Sequence, residues 1–150
     1  MTSSATIPLT PAVRDPQQGE RLNVLGDQQR FILTGADTGG AFCLIEQTNE
    51  PGVSIPPHYH TRESETFHVV EGSVKYTVES QVVIAGPGTT LHIPRGVPHS
   101  FEVLTKAKVL LTIVPAEIEN MFRELAKVKP GPDVMPKVGA ICERYGIFFA

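Results

Sequence analysis

The chain has 150 residues, a hydrophobic content of 41% and 13 Lys plus Arg against 16 Asp plus Glu, which gives a net charge of -3. This length and composition fit one compact domain. Without a run of basic residues, nucleic acid is excluded as an expected partner. We find no signal-peptide pattern and no segment apolar enough for a membrane span, so we expect a cytoplasmic protein. The two cysteines, Cys43 and Cys142, have no CxxC spacing and are expected as reduced thiols.

Residues 1–18 are rich in Ser, Thr, Pro and Gln, and they predict a flexible N-terminal arm. Short β-prone runs follow at residues 29–34, 41–47, 74–78 and 109–114, and we expect a hairpin turn at the GADTGG segment between the first two. These runs are separated by Pro- and Gly-rich turn segments and not by helical segments. The pattern therefore predicts an antiparallel sandwich or barrel over residues 19–114.

Residues 115–150 change to helical periodicity. Apolar residues recur at helical spacing in residues 115–128, which predicts an amphipathic helix. After a Lys-Pro-Gly-Pro break, Val134, Val138, Ile141 and Tyr145 form a second apolar stripe, and Gly146 is a plausible stop. We expect this helical extension to pack on the barrel or on a partner subunit, as part of the same domain.

Four side chains in two segments have the character of metal ligands. His58 and His60 lie two positions apart, so on a strand both imidazoles point to the same face. Of the two following carboxylates, Glu65 shares the phase of Phe67 and is predicted inward, whereas Glu63 is expected in a loop. His99 follows a Pro-rich turn. Three imidazoles and one carboxylate suit one divalent ion of Fe, Mn, Ni, Co, Cu or Zn, with coordination positions left open.

The two segments together resemble the paired motifs of the cupin superfamily. The first motif, G-x5-H-x-H-x4-E-x6-G, is met at Gly52, His58, His60, Glu65 and Gly72. The second, G-x5-P-x-G-x2-H-x3-N, is met at Gly88, Pro94, Gly96 and His99, with Val103 in place of the closing Asn. That Asn is not a ligand in the family, so the metal set is intact. The flanking segments GADTGGAFCLIEQ, PAEIENMFRELA and ERYGI are similar to small bacterial cupins of the quercetin 2,3-dioxygenase type.

The resemblance implies an all-β fold, the cupin double-stranded β-helix or jelly-roll barrel, here followed by C-terminal amphipathic helices. It also implies a metal-dependent oxidoreductase that acts on a small, aromatic molecule, with Glu65 as the catalytic residue that accepts the substrate proton. One barrel hosts many reactions, so a metal-dependent isomerase, cyclase or lyase and a non-catalytic binding protein stay open as alternatives. We expect a homodimer, because sheet edges and apolar helix faces favour association.

Other side chains near the motifs are predicted to face away from the metal or keep more than one interpretation. His68 is out of phase with Glu65 and is expected to face away from the metal. The irregular turn leaves the direction of His92 open. Arg95 lies in the loop beside the predicted site, where contact with an anionic group is one reading. Aromatic residues that fit either the barrel core or a pocket wall are Phe67, Tyr76 and Phe101.

Overall fold

The computed structural model describes residues 10–150, which form nine strands and three helices. The elements in chain order are β1 (Glu20–Val24), β2 (Asp27–Leu33), α1 (Gly35–Thr38), β3 (Cys43–Asn49), β4 (Ser54–His60), β5 (Ser64–Val78), β6 (Gln81–Ala85), β7 (Thr90–Ile93), β8 (His99–Val114), α2 (Ile118–Leu125), α3 (Val134–Arg144) and β9 (Ile147–Phe149). No helix within the described range is long and apolar enough to cross a membrane.

All strand pairs of this sheet are antiparallel. The order along its main path is β1-β2-β3-β8-β4-β9, while β5 pairs with β6, β7 and β8. Strands β5 and β8 run side by side from the Ser64↔Val114 pair to the Val78↔His99 pair. Because β8 pairs with β3, β4 and β5, the sheet curls around one interior.

The long β5 strand bends in its middle, at Gly72. Its register against β8 shifts between Val69 and Val74, and Gly72 has a φ of 77°, a conformation that favours glycine. A Cβ atom at Gly72 would lie 2.0 Å from the backbone oxygen of Lys106. The glycine therefore permits both the bend and the close approach of the two strands.

Alternate residues of the strands fill the interior. On β5, Phe67, Val69, Val74 and Tyr76 are at most 2% exposed, and Ile45 on β3 is fully buried. This period of two is the one that the sequence predicts for half-buried strands.

The structure departs from the sequence-based elements at two places. The GADTGG segment does connect β2 and β3 as an antiparallel hairpin, but it contains a single helical turn, α1, in which the Asp37 carboxylate accepts a hydrogen bond from the backbone N–H of Thr34 at 2.9 Å. At the other end, residues 147–149 form strand β9, which sequence analysis did not predict. β9 pairs with β4, from His58↔Phe149 to His60↔Ile147.

The predicted C-terminal helices are present as α2 and α3. Both turn apolar side chains inward: Met121 and Leu125 from α2 and Val138 and Cys142 from α3 are at most 5% exposed. These stripes pack on the barrel. Of the predicted N-terminal arm, residues 10–18 are exposed and contain no helix or strand, and residues 1–9 lie outside the described part of the chain.

Candidate metal centre

Three strands bring the four sequence-predicted ligand residues to one place. His58 and His60 lie at the end of β4, Glu65 at the start of β5 and His99 at the start of β8. His58 and His99 are direct partners in the β4–β8 pairing. Strand alternation directs His58 and His60 to the same side, whereas Tyr59 between them stacks on Phe148, with ring centroids 5.7 Å apart.

The candidate ligand atoms are close enough to share one ion. One nitrogen from each histidine and one oxygen of Glu65 all lie within 4.8 Å of one another. Glu65 Oε1 is 2.9 Å from both His60 Nε2 and His99 Nε2. The His60 contact lacks the alignment of a hydrogen bond, and both ring nitrogens of His60 have no hydrogen-bond partner within residues 10–150. A buried imidazole of this kind fits a metal ligand.

The other ring nitrogen of each histidine faces an acceptor. His58 Nδ1 lies 2.9 Å from the carbonyl oxygen of Pro56, and His99 Nδ1 lies 2.9 Å from that of Val97. An Nδ1–H that donates to a carbonyl leaves Nε2 with its lone pair free toward the centre of the cluster. This is the outer arrangement that metal-binding histidines use.

Glu63 supplies the corresponding acceptor for His60. The sequence places this carboxylate in a loop, and it lies there, yet it is only 5% exposed and its Oε2 is 3.4 Å from His60 Nδ1. Sequence analysis did not predict this contact. Alternation along a strand says nothing about a loop residue, so only the short spacing between His60 and Glu63 could have indicated it.

The electrostatics of the cluster favour a cation. Burial lowers the pKa of His58 to about 4, and the neighbouring His99 adds to that effect. Burial acts in the same direction on His60, but the charges of Glu65 and Glu63 outweigh it and raise the pKa of His60 to about 9. Burial would raise the pKa of Glu65, yet His60 and His99 hold it below its usual range. The site therefore stabilises a buried carboxylate together with positive charge, and its donor set could hold a metal ion.

A cavity of about 260 Å³ opens beside the cluster. His58, His60 and Glu65 line one part of it, and its remaining wall is mostly apolar. The barrel contributes, among others, Phe67 and Phe101. The C-terminal elements contribute Met121, Phe122, Leu125, Val134, Met135, Val138, Cys142, Ile147 and Phe149. The helical extension is therefore a wall of this cavity.

Polar residues also line the cavity, on strands β2 and β3. Asp27, Gln29 and Gln47 are each at most 4% exposed and belong to the cavity wall. Sequence analysis did not single them out. The sequence did contain an indication of this polar wall. Asp27 and Gln29 share the strand phase of the buried Phe31, so two polar side chains lie on the inward face of β2.

Outside the ligand cluster lie His68, His92 and Arg95. His68 is exposed and its Nδ1 is 2.7 Å from Thr90 Oγ1, as its phase predicts. His92 is also exposed, with its Nδ1 2.9 Å from Thr66 Oγ1. Arg95 is exposed and does not line the cavity. Of the three aromatic candidates, Tyr76 is a core residue outside this cavity.

Comparison with known proteins identifies a domain family for this site. Residues 45–115 match Cupin_2, the cupin domain. The chain is also 32% identical over 117 residues to quercetin 2,3-dioxygenase of Bacillus subtilis (strain 168). That match covers 77% of this chain but only 34% of the relative, so the chain spans about a third of the length of that protein.

Solved structures with the same fold include KdgF from Halomonas sp., with a TM-score of 0.67, 18% identity and coverage of 74% of this chain and 99% of the other. Pac13, a nucleoside dehydratase from Streptomyces, has a TM-score of 0.61 at 20% identity, with 74% and 88% of the chains covered. These similarities confirm the predicted cupin barrel with C-terminal helices. At such low identity they bear on fold alone.

Proposed function

We propose that this chain, whose residues 45–115 match the cupin domain, is a metal-dependent dioxygenase that acts on a small aromatic substrate of the flavonol type. The observation that carries the proposal is the convergence of three histidine nitrogens and one carboxylate oxygen beside an apolar cavity. The identity to a quercetin 2,3-dioxygenase supports the choice of reaction.

In this proposal His58, His60, Glu65 and His99 hold one divalent transition-metal ion. When bound, such an ion acts as a Lewis acid toward an enol or phenol oxygen and supports reaction with oxygen. The chain's own contribution is to fix the donor atoms. The carbonyl oxygens of Pro56 and Val97 orient two of the imidazoles, and Glu63 faces the third.

Glu65 is proposed to have a second role, as the base that accepts the substrate's hydroxyl proton. Its Oε1 contacts His60 and His99, whereas Oε2 makes none of the hydrogen bonds found within residues 10–150. One oxygen can therefore stay with the ligand cluster while the other receives a proton at the cavity.

The apolar wall is proposed to bind the planar body of the substrate and to exclude water. Phe67 and Phe101 from the barrel, together with Phe122 from α2, offer aromatic surface. Exclusion of water strengthens the electrostatic interactions at the cluster and protects a reactive substrate from side reactions.

An oxygen electrode tests the reaction. We expect the protein, loaded in turn with each candidate metal, to consume oxygen in proportion to the quercetin that disappears. Glu65→Gln should lower turnover by about 100- to 10,000-fold while retaining more of the metal, because an amide oxygen can still approach the ion but cannot accept a proton at neutral pH.

Metal-depleted protein and Glu71→Gln, a change on the same strand, serve as controls. Turnover in Glu65→Gln at the wild-type rate would refute the assigned base even if oxygen is consumed. If no metal form consumes oxygen, the isomerase, cyclase or lyase alternative replaces the dioxygenase, and saturable binding without turnover would indicate a binding protein.

The proposal also includes a cytoplasmic compartment and a three-part chain, with an arm at residues 1–18, a barrel at 19–114 and a helical extension at 115–150. Both cysteines are free and buried, which suits a reducing compartment. The extension shares the cavity with the barrel, so we treat the two as one domain.

A further inference from the structure

The inward faces of β2 and β3 change from apolar to polar along the barrel. Phe31 faces the interior beside Ile45, and the next inward pair in the register is Gln29 with Gln47. Asp27 and Asn49 continue these rows, and both are 4% exposed. Asp27, Gln29, Gln47 and Asn49 thus form one buried group, which we name the Asp27 cluster.

Three amide groups donate to the Asp27 carboxylate. Oδ2 accepts from Gln29 Nε2 at 3.0 Å and from Gln47 Nε2 at 2.9 Å, and Oδ1 accepts from Asn49 Nδ2 at 2.8 Å. The orientation of Asn49 is fixed at its other end, where its Oδ1 accepts the backbone N–H of Gln28 at 2.8 Å. Within residues 10–150 no ion pair neutralises Asp27.

One acceptor of the cluster is left over. Because Gln29 Nε2 is committed to Asp27, Gln29 Oε1 faces elsewhere, and it has no hydrogen-bond partner in the described part of the chain. The residue is 3% exposed and lines the cavity. A buried carbonyl oxygen without a donor is costly, and most native structures avoid it.

A purely structural role, in which the hydrogen bonds of the Asp27 cluster hold β2 against β3, accounts for only part of the observations. A brace needs neither an unpartnered oxygen nor a position on a cavity wall, and apolar side chains would fill the barrel without the cost of burying a carboxyl. Asp27, Gln29 and Gln47 instead share one cavity with three of the four candidate metal ligands, in a wall that is otherwise mostly apolar. In an apolar pocket, a small number of polar groups generally fixes the orientation of the ligand.

We propose that the Asp27 cluster is a second polar subsite of this cavity, which binds a hydroxyl group of the ligand through Gln29 Oε1. The part of this inference that places another ligand oxygen at the metal centre rests on the proposed function. The ligand class is then an apolar aromatic body with oxygen groups at two separate positions.

The chemistry of the cluster favours a neutral hydrogen-bond donor. Gln29 Oε1 can only accept, and the Asp27 carboxylate has acceptor positions beyond its three amide donors. Burial raises the pKa of Asp27 even though the amide hydrogen bonds oppose that shift. The rest of the cavity wall is mostly apolar, so an ammonium group would lose its hydration there, and a hydroxyl is the better match.

Two nearly isosteric probes test the subsite on the full-length protein as purified, under nitrogen. 2-Naphthol carries a hydroxyl where 2-methylnaphthalene carries a methyl group. Equilibrium dialysis gives the ratio of their two dissociation constants. We expect Gln29→Met to shift this ratio against 2-naphthol by roughly three- to tenfold, the effect of one lost hydrogen bond.

Gln28→Met is the matched control, because Gln28 is the next residue on β2 and is exposed. Its ratio should stay within about twofold of the wild type. An unchanged ratio in Gln29→Met, an equal loss of both probes, or failure of both to bind the wild type would each overturn the subsite.

A second measurement needs only the wild-type protein. In NMR titrations, 2-naphthol should shift the side-chain amide resonances of Gln29, and 2-methylnaphthalene should leave them nearly unchanged; equal shifts would contradict the proposal. These probes do not depend on oxygen chemistry. Discrimination between them without oxygen uptake from quercetin would refute the dioxygenase and retain the subsite, and the reverse result would refute the subsite alone.

Discussion

Four of the five histidines separate into two pairs by what their Nδ1 atoms contact. In His58 and His99, Nδ1 lies against a backbone carbonyl oxygen, and both residues belong to the ligand cluster with Glu65. His68 and His92 are exposed, and their Nδ1 atoms lie beside threonine hydroxyls. Side chains of one type thus take different roles because of backbone geometry. The difference supplies both a test and its control.

We expect His58→Ala or His99→Ala to reduce the metal content from near one ion per chain to a small fraction of that. Losing a ligand should cost more than the roughly 10- to 100-fold in affinity that the loss of an outer hydrogen-bond partner costs. His68→Ala should bind metal like the wild type. Elemental analysis after growth with added Mn, Fe, Ni, Co and Zn measures this, and a metal-free wild type would disprove the metal centre.

Pairs of elements hold the barrel through contacts of very different strength. Arg30 on β2 is 8% exposed and makes two hydrogen bonds to Glu46 on β3, at 3.2 and 3.1 Å. By contrast, Lys106 and Glu50 are about 70% exposed and 3.6 Å apart. A partly buried ion pair with two hydrogen bonds contributes more to stability than an exposed one with a single long contact.

This difference predicts a pH-dependent effect for Glu46→Gln. The hydrogen bonds from Arg30 lower the pKa of Glu46 below its ordinary value. The pair's stabilisation is therefore present above the ordinary glutamate pKa and is lost as the pH falls through the lowered one. In urea titrations, Glu46→Gln should be less stable than the wild type at about pH 7, and the difference should shrink as the pH falls below the ordinary glutamate pKa of about 4.3.

Glu50→Gln is the control and should change the free energy of unfolding little at either pH, since its pair is exposed. A constant deficit of Glu46→Gln across the whole pH range would show that the lost contact is not an ionic one.

The junction between α3 and β9 depends on one glycine. Gly146 has a φ of 77°, and its carbonyl oxygen accepts hydrogen bonds from the backbone N–H and the hydroxyl of Thr61, at 2.9 and 2.6 Å. A Cβ atom there would lie 2.4 Å from Thr61 Oγ1. The glycine thus lets the C-terminal segment approach the loop that follows β4.

Gly146→Ala should lower the free energy of unfolding by about 1–3 kcal/mol, because alanine is strained at positive φ and its methyl group meets Thr61. Gly139→Ala, inside α3 where a Cβ meets nothing within 4 Å, should instead stabilise by about 0.5–1 kcal/mol. Urea denaturation measures both. Equal effects of the two changes would contradict the role given to Gly146.

At the scale of the whole molecule, the curled sheet retains free edges. Among the strands of residues 10–150, β1 pairs only with β2, and β6 pairs only with β5. On β6, Val82 and Ile84 are 54% and 60% exposed. The apolar faces of α2 and α3 are already used against the barrel, so the expectation of a dimer now depends on the sheet rather than on the helices.

We expect a homodimer at micromolar concentration, because unpaired edges and exposed apolar side chains favour association with a second copy. Light scattering measures the mass. Ile84→Lys, which places a charge on β6, should shift the protein toward the monomer, whereas Lys75→Arg on the neighbouring strand should not. A monomer mass for the wild type would remove the dimer and leave the metal centre untouched.

Local patterns were enough to predict an antiparallel sandwich or barrel, the four candidate ligands and the outward direction of His68, and the family resemblance chose the barrel. They succeed because strand alternation and motif spacing are properties of a few neighbouring residues. Long-range contacts were not accessible in this way. The approach of Glu63 to His60, the assembly of Asp27 with residues of β3, and the return of β9 to β4 each depend on the completed fold.

The pairing of β9 with β4 also sets an order in time. His58 and His60 lie on β4, and the strand that borders them on one side, β9, follows much later in the chain. On a ribosome, the histidines emerge long before the segment that completes their surroundings. The candidate centre can therefore reach its final geometry only after residues 147–149 have left the exit tunnel, so an ion held in that geometry would be bound after β9 has been made.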